Sequence, residues 1–478
     1  MGYIMKIKRI LSVALALCLV AALALAAGCS DGGSGNTGSK DSGSKSGNTG
    51  TASATVENIY GAGLSEDTIS ALQDSGTISM YTMYQNQVNS ADWTDEFREE
   101  MEFYKKYYGL TIKWKYQAYG DDLSKFMVDY ANGDAPDGTL TSYRRWPKAG
   151  IRQVIYTLDE LKDLGVVGLD HPEITRYEDV TDRFTIGGKK YAAGLDYTTP
   201  SICVVNTDLF DEYKVKSPIE YYKEGNWNLD TYMECCKNIT RTLADGTKIW
   251  GSAWRDHTYY LVANDARLVD WNDKETRLVL TMKDTKCVKA LEVFRDSFVN
   301  GYSPSAEEGG GSTFFKLGRM GIFIHDANNY AQGCKDYSFH WEVIPTPLGS
   351  DNVSGNIPGE CSGCGIVTST KNPQGILNYY IAHSQWLSYK YQQPYGVFYV
   401  DTFQGVYNDE QLKMICESAQ HIGHDLYWGC GNITNIQWNF WNNIKGEKQT
   451  IKEAMDTYEP LFQAELDAEN EFLAKMFP

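Results

Sequence analysis

Apolar residues along this chain recur at spacings that switch repeatedly between strand and helix. Gly76 to Tyr84 predicts a strand, and Gln85 to Ser90 a loop after it. Phe97, Met101, Tyr104 and Tyr108 follow at helical spacing, with Gly109 as a stop. Ile112, Trp114 and Tyr116 alternate with polar residues, the mark of a half-buried strand. Leu123, Phe126, Met127 and Tyr130 form another helical face, closed by Gly133. This β-α-β-α order predicts a mainly parallel sheet covered by helices on both faces. Sheets of that kind bind ligands at the carboxyl ends of their strands.

The later chain carries the same signals. Ile202 to Val205 reads as a strand ending at Asn206, and Leu317 to Ile324 as another, with Asp326 at its exit. Asn228 is an N-cap, Trp227 can staple onto Tyr232, and the helix behind them buries Tyr232, Cys236 and Ile239. Gly363 to Ser369 predicts a strand, and Asn372 with Pro373 starts a helix running through Trp386. Thr450 and Glu453 form a capping box, with Ala454, Met455, Tyr458 and Leu461 as the buried face that follows. With 478 residues the chain exceeds one ordinary core, so two domains are expected.

The first residues obey a different pattern. Lys6, Lys8 and Arg9 precede an apolar run from Ile10 to Ala27, ending in Ala26-Ala27-Gly28-Cys29. This predicts a secretory signal over residues 1–28, with a retained membrane helix or ordinary secretory cleavage as alternatives. Residues 29–55 are Gly, Ser, Thr, Asn, Lys and Asp in the main, with little to bury, and predict a flexible tether.

Several stretches resemble the extracellular solute-binding proteins of ABC importers, the carbohydrate-type family 1. Gly187 to Phe210, GGKKYAAGLDYTTPSICVVNTDLF, is similar to the segment that crosses between lobes and floors the ligand cleft. Asn132-Gly-Asp-Ala-Pro-Asp137 resembles a family turn, although Gly138 stands where an aliphatic residue is usual. Trp227-Asn-Leu-Asp230, Leu317 to Ile324, Trp341 to Gly349 and the segment from Gly446 match further family motifs in order. Ala-Gly-Cys29 is similar to a lipobox, with Leu25 one place early; the resemblance makes Cys29 the lipidated residue. It implies a two-lobed α/β periplasmic-binding-protein-like fold, each lobe a mainly parallel sheet flanked by helices and joined by crossing hinge strands near 195–205, 350–362 and 400–406. The expected lobes are 56–195 with 360–402, and 196–359 with 403–478.

Composition narrows the function. A formal charge of -18 argues against nucleic-acid backbones and against polybasic attachment to anionic lipid. The 33 tyrosines and 12 tryptophans suit stacking on sugar faces, besides ordinary half-buried packing. The expected ligand contacts are Tyr84 and Gln85 after the first strand, and Trp146, read as an exposed ring beside Arg144 and Arg145. Asp196 and Tyr197 at the crossover, Trp254 beside Arg255 and Asp256, Asp326, and Trp428 in a Gly-rich loop complete the set. Asp137 is expected to be structural.

No nucleophile elbow, phosphate loop or dinucleotide fingerprint is present, and no catalytic residue is assigned. Removing Cys18 and Cys29 from the 11 cysteines leaves an odd number, so at least one stays free, while Cys361 and Cys364 could bridge. Neither this pair nor His421, His424 and Cys430 is read as a metal site, and no cofactor is expected. The expectation is therefore a monomeric, lipid-anchored receptor on the outer face of the cytoplasmic membrane. It would pass a sugar or oligosaccharide to the transmembrane subunits of an ABC permease, without enzymatic activity. The rivals are a surface glycoside hydrolase and a carbohydrate-binding or sensing lipoprotein outside transport.

Overall fold

Helical spacing and terminal chemistry agree in the helix Asp95–Tyr108. Thr94 caps it by accepting from the Phe97 amide at 3.2 Å, and Gly109 ends it at φ 60°. In the computed structural model, residues 58–478 are described apart from 83, 118–122, 143–144, 177, 306–309, 334–336, 392–402, 404, 424 and 431. The signal, the tether and Cys29 lie outside the described residues, as do Arg144, His424 and most of the expected third crossing. Among the described residues, no helix is long and apolar enough to cross a membrane.

Ten strands form one connected sheet. They are β1 (Gly76–Thr82), β2 (Leu110–Tyr116), β3 (Gly138–Ser142), β4 (Leu195–Asn206), β5 (Arg241–Thr242), β6 (Lys248–Trp254), β7 (Met320–Asp326), β8 (Trp341–Pro345), β9 (Ile357–Ile366) and β10 (Ile422–Gly423). The order is β2-β1-β3-β9-β4-β7-β6-β5, with β8 paired to β4 and β10 to β9. β1 runs parallel to both β2 and β3, and β6 runs parallel to β7. The strands added around these parallel groups are mostly antiparallel.

The long strand β4 links the two ends of this order. Its first half, from Leu195 to Pro200, pairs with β9, and its second half, from Ser201, pairs with β7 and β8 on either side. Strand alternation sends its side chains to different cores: Cys203 and Val205 join the largest cluster, and Ile202 and Val204 a separate one. A third core lies between β1, β2 and two helices, where Phe103 of Asp95–Tyr108 meets Trp386 of Pro373–Tyr391 at 5.2 Å. Buried polar ties hold β4 at the crossover: Thr199 Oγ1 donates to Asn328 Oδ1 at 2.8 Å, and the Ser201 and Thr346 hydroxyls bond at 2.8 Å. Groups this buried require partners, which fixes the strand's register as well as its position.

Local expectations hold at several points. Asn228 caps Leu229–Ile239 with a capping box, and Trp227 meets Tyr232 edge-on at 6.4 Å. Asp137 is structural: it accepts from the Ser79 amide at 2.7 Å and the Thr370 hydroxyl at 2.6 Å. The unusual Gly138 has a packing reason, because a Cβ there would lie 2.8 Å from Met80 Sδ and 2.9 Å from Ile376 Cγ2. Three details differ. The strand expected from Gly363 begins at Ile357, extended by pairing with β4 and β10. In the final helix, Ile451–Met476, Phe462 rather than Leu461 continues the buried face, being four residues beyond Tyr458. Cys361 and Cys364 are buried and not bridged to each other, since they lie three apart on one strand and enter different cores.

Candidate functional site

The carboxyl ends of β6 and β7 deliver Trp254, Arg255 and Asp256 on one side and Asp326 on the other. The two strands are in parallel register, with Ile324 opposite Trp254. Beyond β6 the chain turns into the short helix Thr258–Ala263, and one Asp256 oxygen fixes that turn. It accepts from the Thr258 amide at 2.9 Å and the Thr258 hydroxyl at 2.7 Å. Burial raises the Asp256 pKa and outweighs these two bonds; the Glu360 charge adds to the rise and Arg255 opposes it.

Arg255 sits at the centre. Its Nη1 forms ion pairs with Asp326 and with Glu360, the latter at 3.2 Å, and so joins the end of β7 to the crossing strand β9. The Tyr259 hydroxyl donates to the other Asp326 oxygen. Asp326 is fully buried, so this ion pair and hydrogen bond supply what water would otherwise provide. Burial lowers the neighbouring His325 to about 3, with Arg255 adding to the effect, so the ring is neutral.

A cavity opens beside this network, with roughly 290 Å³ of empty space that includes open solvent. Asp256, Thr258, Tyr259 and Val262 line it from the β6 side, Gly359 and Glu360 from β9, and Gly423, Asp425 and Trp428 from the late loop. Asp425 accepts backbone hydrogen bonds from Leu268, from Val269 at 3.2 Å and from Tyr427 at 3.1 Å. Burial nevertheless raises it to about 7. Trp428 stacks on Tyr427 with ring centres 5.1 Å apart and keeps 9% of its surface exposed. The next residue is locked in place: Gly429 lies against the Trp146 carbonyl so closely that a Cβ would overlap it.

The expected contacts fall into distinct groups. Trp428 lines the cavity, and Asp326 reaches it through Arg255 and Glu360. Trp254 stands behind the network; its indole N–H donates to the Tyr232 hydroxyl at 2.7 Å, and Tyr260 covers one face at 4.2 Å. Trp146 contradicts its reading as an exposed ring. It is fully buried, with Phe184 at 5.4 Å and Tyr191 at 5.7 Å, because the chain after β3 turns inward to cover the largest core. Tyr84 is 58% exposed just past β1, with Gln85 exposed beside it, and neither lines this cavity. Asp196 and Tyr197 lie on β4, where Tyr197 pairs with Ser362 of β9.

Sequence reasoning missed Tyr259, Glu360 and Asp425. Glu360 fell within the expected second crossing, so the signal was a carboxylate on a hinge strand. Asp425 precedes the Trp428 loop by three residues and carried no motif of its own. The sequence marks Asp256 only as a neighbour of Trp254. Among the described residues, no group of three or more His, Cys, Asp or Glu side chains could hold a metal ion.

Solved structures with this fold are numerous. The chain is similar to the ABC substrate-binding protein Lmo0181 from Listeria monocytogenes in complex with cycloalternan, at 16% identity and a TM-score of 0.59, covering 84% of this chain and 99% of that one. UgpB from Mycobacterium tuberculosis in complex with glycerophosphocholine is similar at 16% identity and a TM-score of 0.60, with coverage of 82% and 99%. The sugar-binding protein MalE from Xanthomonas citri is similar at 14% identity and a TM-score of 0.58, with coverage of 84% and 98%. These likenesses show the two-lobed α/β fold in which lobes meet at crossing strands. A comparison with curated protein sequences finds no significant match. Residues 86–378 match the family described as bacterial extracellular solute-binding protein, and the chain belongs to that family.

Proposed function

We propose that this protein is the receptor of an ABC importer, capturing a sugar or oligosaccharide between its lobes and delivering it to a membrane permease. The observation that carries this reading is the cavity beside β6, β7 and β9, where the Trp428 ring and the carboxyl groups of Asp256, Asp425 and, on the crossing strand β9, Glu360 come together. Carboxylates suit sugar hydroxyls as acceptors, and a ring such as Trp428 suits a sugar face. Among relatives of the same fold, MalE is described as sugar-binding and the Listeria protein is complexed with cycloalternan.

In this reading the lobes comprise 56–195 with 360–402, and 196–359 with 403–478, turning about β4 and β9 to enclose the ligand. Tyr84, Gln85, Asp196 and Tyr197 contribute from the first lobe and the crossover, and Trp428 from the second. The receptor performs no chemistry; the closed, liganded form is the one the permease recognises. The monomer is held outside the cytoplasmic membrane by lipid on Cys29 and a flexible tether.

A melting-temperature screen of the full chain in detergent, against mono- and oligosaccharides, tests the receptor reading. A sugar that binds only the folded state raises the transition by mass action. A shift without product formation is expected; turnover of an oligosaccharide would replace the receptor with a hydrolase, and no shift with any sugar would remove the carbohydrate assignment. Cys29→Ala is expected to release the protein from the membrane fraction, and unchanged fractionation would contradict the anchor.

A further inference from the structure

The first lobe stands off the cavity in this arrangement. Of the described residues lining the cavity, only Glu360, on the crossing strand β9, belongs to that lobe. Tyr84 and Gln85, past the end of β1, face solvent instead. The arrangement is open, so contacts that join the lobes here are contacts of the open form.

A group of such contacts gathers at the end of the final helix, Ile451–Met476. Asn470 fixes this end to the second lobe: its side chain accepts from the Leu278 amide at 2.8 Å and donates to the Leu278 carbonyl at 3.0 Å. The preceding Glu469, 2% exposed, reaches Arg152 of the first lobe, whose Nη2 lies 3.0 Å from Oε2 and 3.2 Å from Oε1. The same guanidinium stands 3.5 Å from the centre of the Phe472 ring. Past the helix, Phe477 lies so close to Gly187 that a Cβ there would come within 2.4 Å of two ring carbons. The Gly187 amide in turn donates to the Glu275 carbonyl of the second lobe at 2.9 Å.

None of these residues is on β4 or β9. Lobes that turn about those strands as rigid bodies cannot keep every contact made away from them. Parting Arg152 from Glu469 would leave a buried carboxylate without its cation, which is unfavourable. Solute binding has to offset that cost, and apparent affinity falls in proportion to the fraction able to close.

We propose that the end of the final helix is a catch that holds the receptor open, through Glu469 on Arg152 and Phe477 on Gly187. This rests on the two-lobed receptor reading and adds regulation to it.

The test is fluorescence transfer between dyes carried by non-natural residues at the exposed positions Leu164 and Val353, one on each lobe of the full chain in detergent. Without sugar, the unaltered chain should show one population, and Glu469→Gln and Phe477→Ala should each add a second. Variants with the same populations as the unaltered chain would overturn the catch. In titrations with glucose, maltose and maltotriose, sugar should enrich that second population, at about three- to tenfold lower concentration in the variants. A response at the same or higher concentration would also overturn it. Melting temperatures report whether each variant folds; Phe477 is only half-buried, so Phe477→Ala carries the test if Glu469→Gln does not fold. A chain that responds to none of these sugars would count against the sugar reading, while the sugar-free populations still decide the catch.

Discussion

The two ends of the sheet present their strand termini in opposite ways. At the ends of β1 and β2, Tyr84 and Tyr116 are 58% and 43% exposed. Past β6 and β7, Arg255, Asp326, Tyr259 and Glu360 are already bonded to one another. One end is a rim of exposed rings, and the other is a preassembled polar wall. Preorganisation lowers the ordering cost of binding, so the wall beside β6 and β7 is the end expected to meet ligand first. In the proposed closure, the exposed rings would then cover it.

The comparison breaks most visibly if the wall is dismantled. Asp326→Ala strips Arg255 and Tyr259 of a fully buried partner and is expected to cost about 3–5 kcal/mol of folding stability by chemical denaturation. A loss below about 1 kcal/mol would mean the wall is not structural. Trp146→Ala and Trp428→Ala separate packing from binding. Trp146 is core, so its removal is expected to cost about 3–5 kcal/mol of stability. Trp428→Ala is expected to weaken sugar binding about tenfold, read by calorimetry. The opposite pattern would exchange the roles assigned to the two rings.

A smaller effect comes from Asp425. Its folded value, about 7, lies above the ordinary carboxyl value, so folding favours the protonated form. The contribution is full below about pH 3.9 and is lost as pH rises through about 7. Relative to Asp425→Asn, the unaltered chain should therefore lose melting temperature between about pH 4 and about pH 7. A flat difference across that range would remove the proton from the account. The smallest effect is expected at the rim: Tyr84→Ala should change stability by no more than about 0.5 kcal/mol, while weakening sugar binding a few-fold.

Much of the fold was legible because strands and helices advertise their periods locally. Asn228, Thr450 and Gly109 mark helix ends through nearest-neighbour chemistry, and β7 is a nearly unbroken apolar run. The site was less legible because it is assembled across distance. Glu360 and Arg255 meet only because β4 brings β9 and β7 into one sheet. The Trp146 reading failed for a related reason. Flanking arginines suggested an exposed loop, whereas Phe184 and Tyr191, far along the chain, supply the apolar cover. Asp425 had only the weak local signature of a cap on the Tyr427 amide, since its other partners Leu268 and Val269 lie more than a hundred residues earlier.

The proposed solute site is the cavity between Asp256, Glu360 and Trp428. Its most direct test is a crystal structure of the chain grown with the sugar that gives the largest melting-temperature rise. The expected result is a sugar ring against Trp428 with its polar groups on Asp256 and Glu360. A sugar bound elsewhere, with this cavity unchanged, would contradict it.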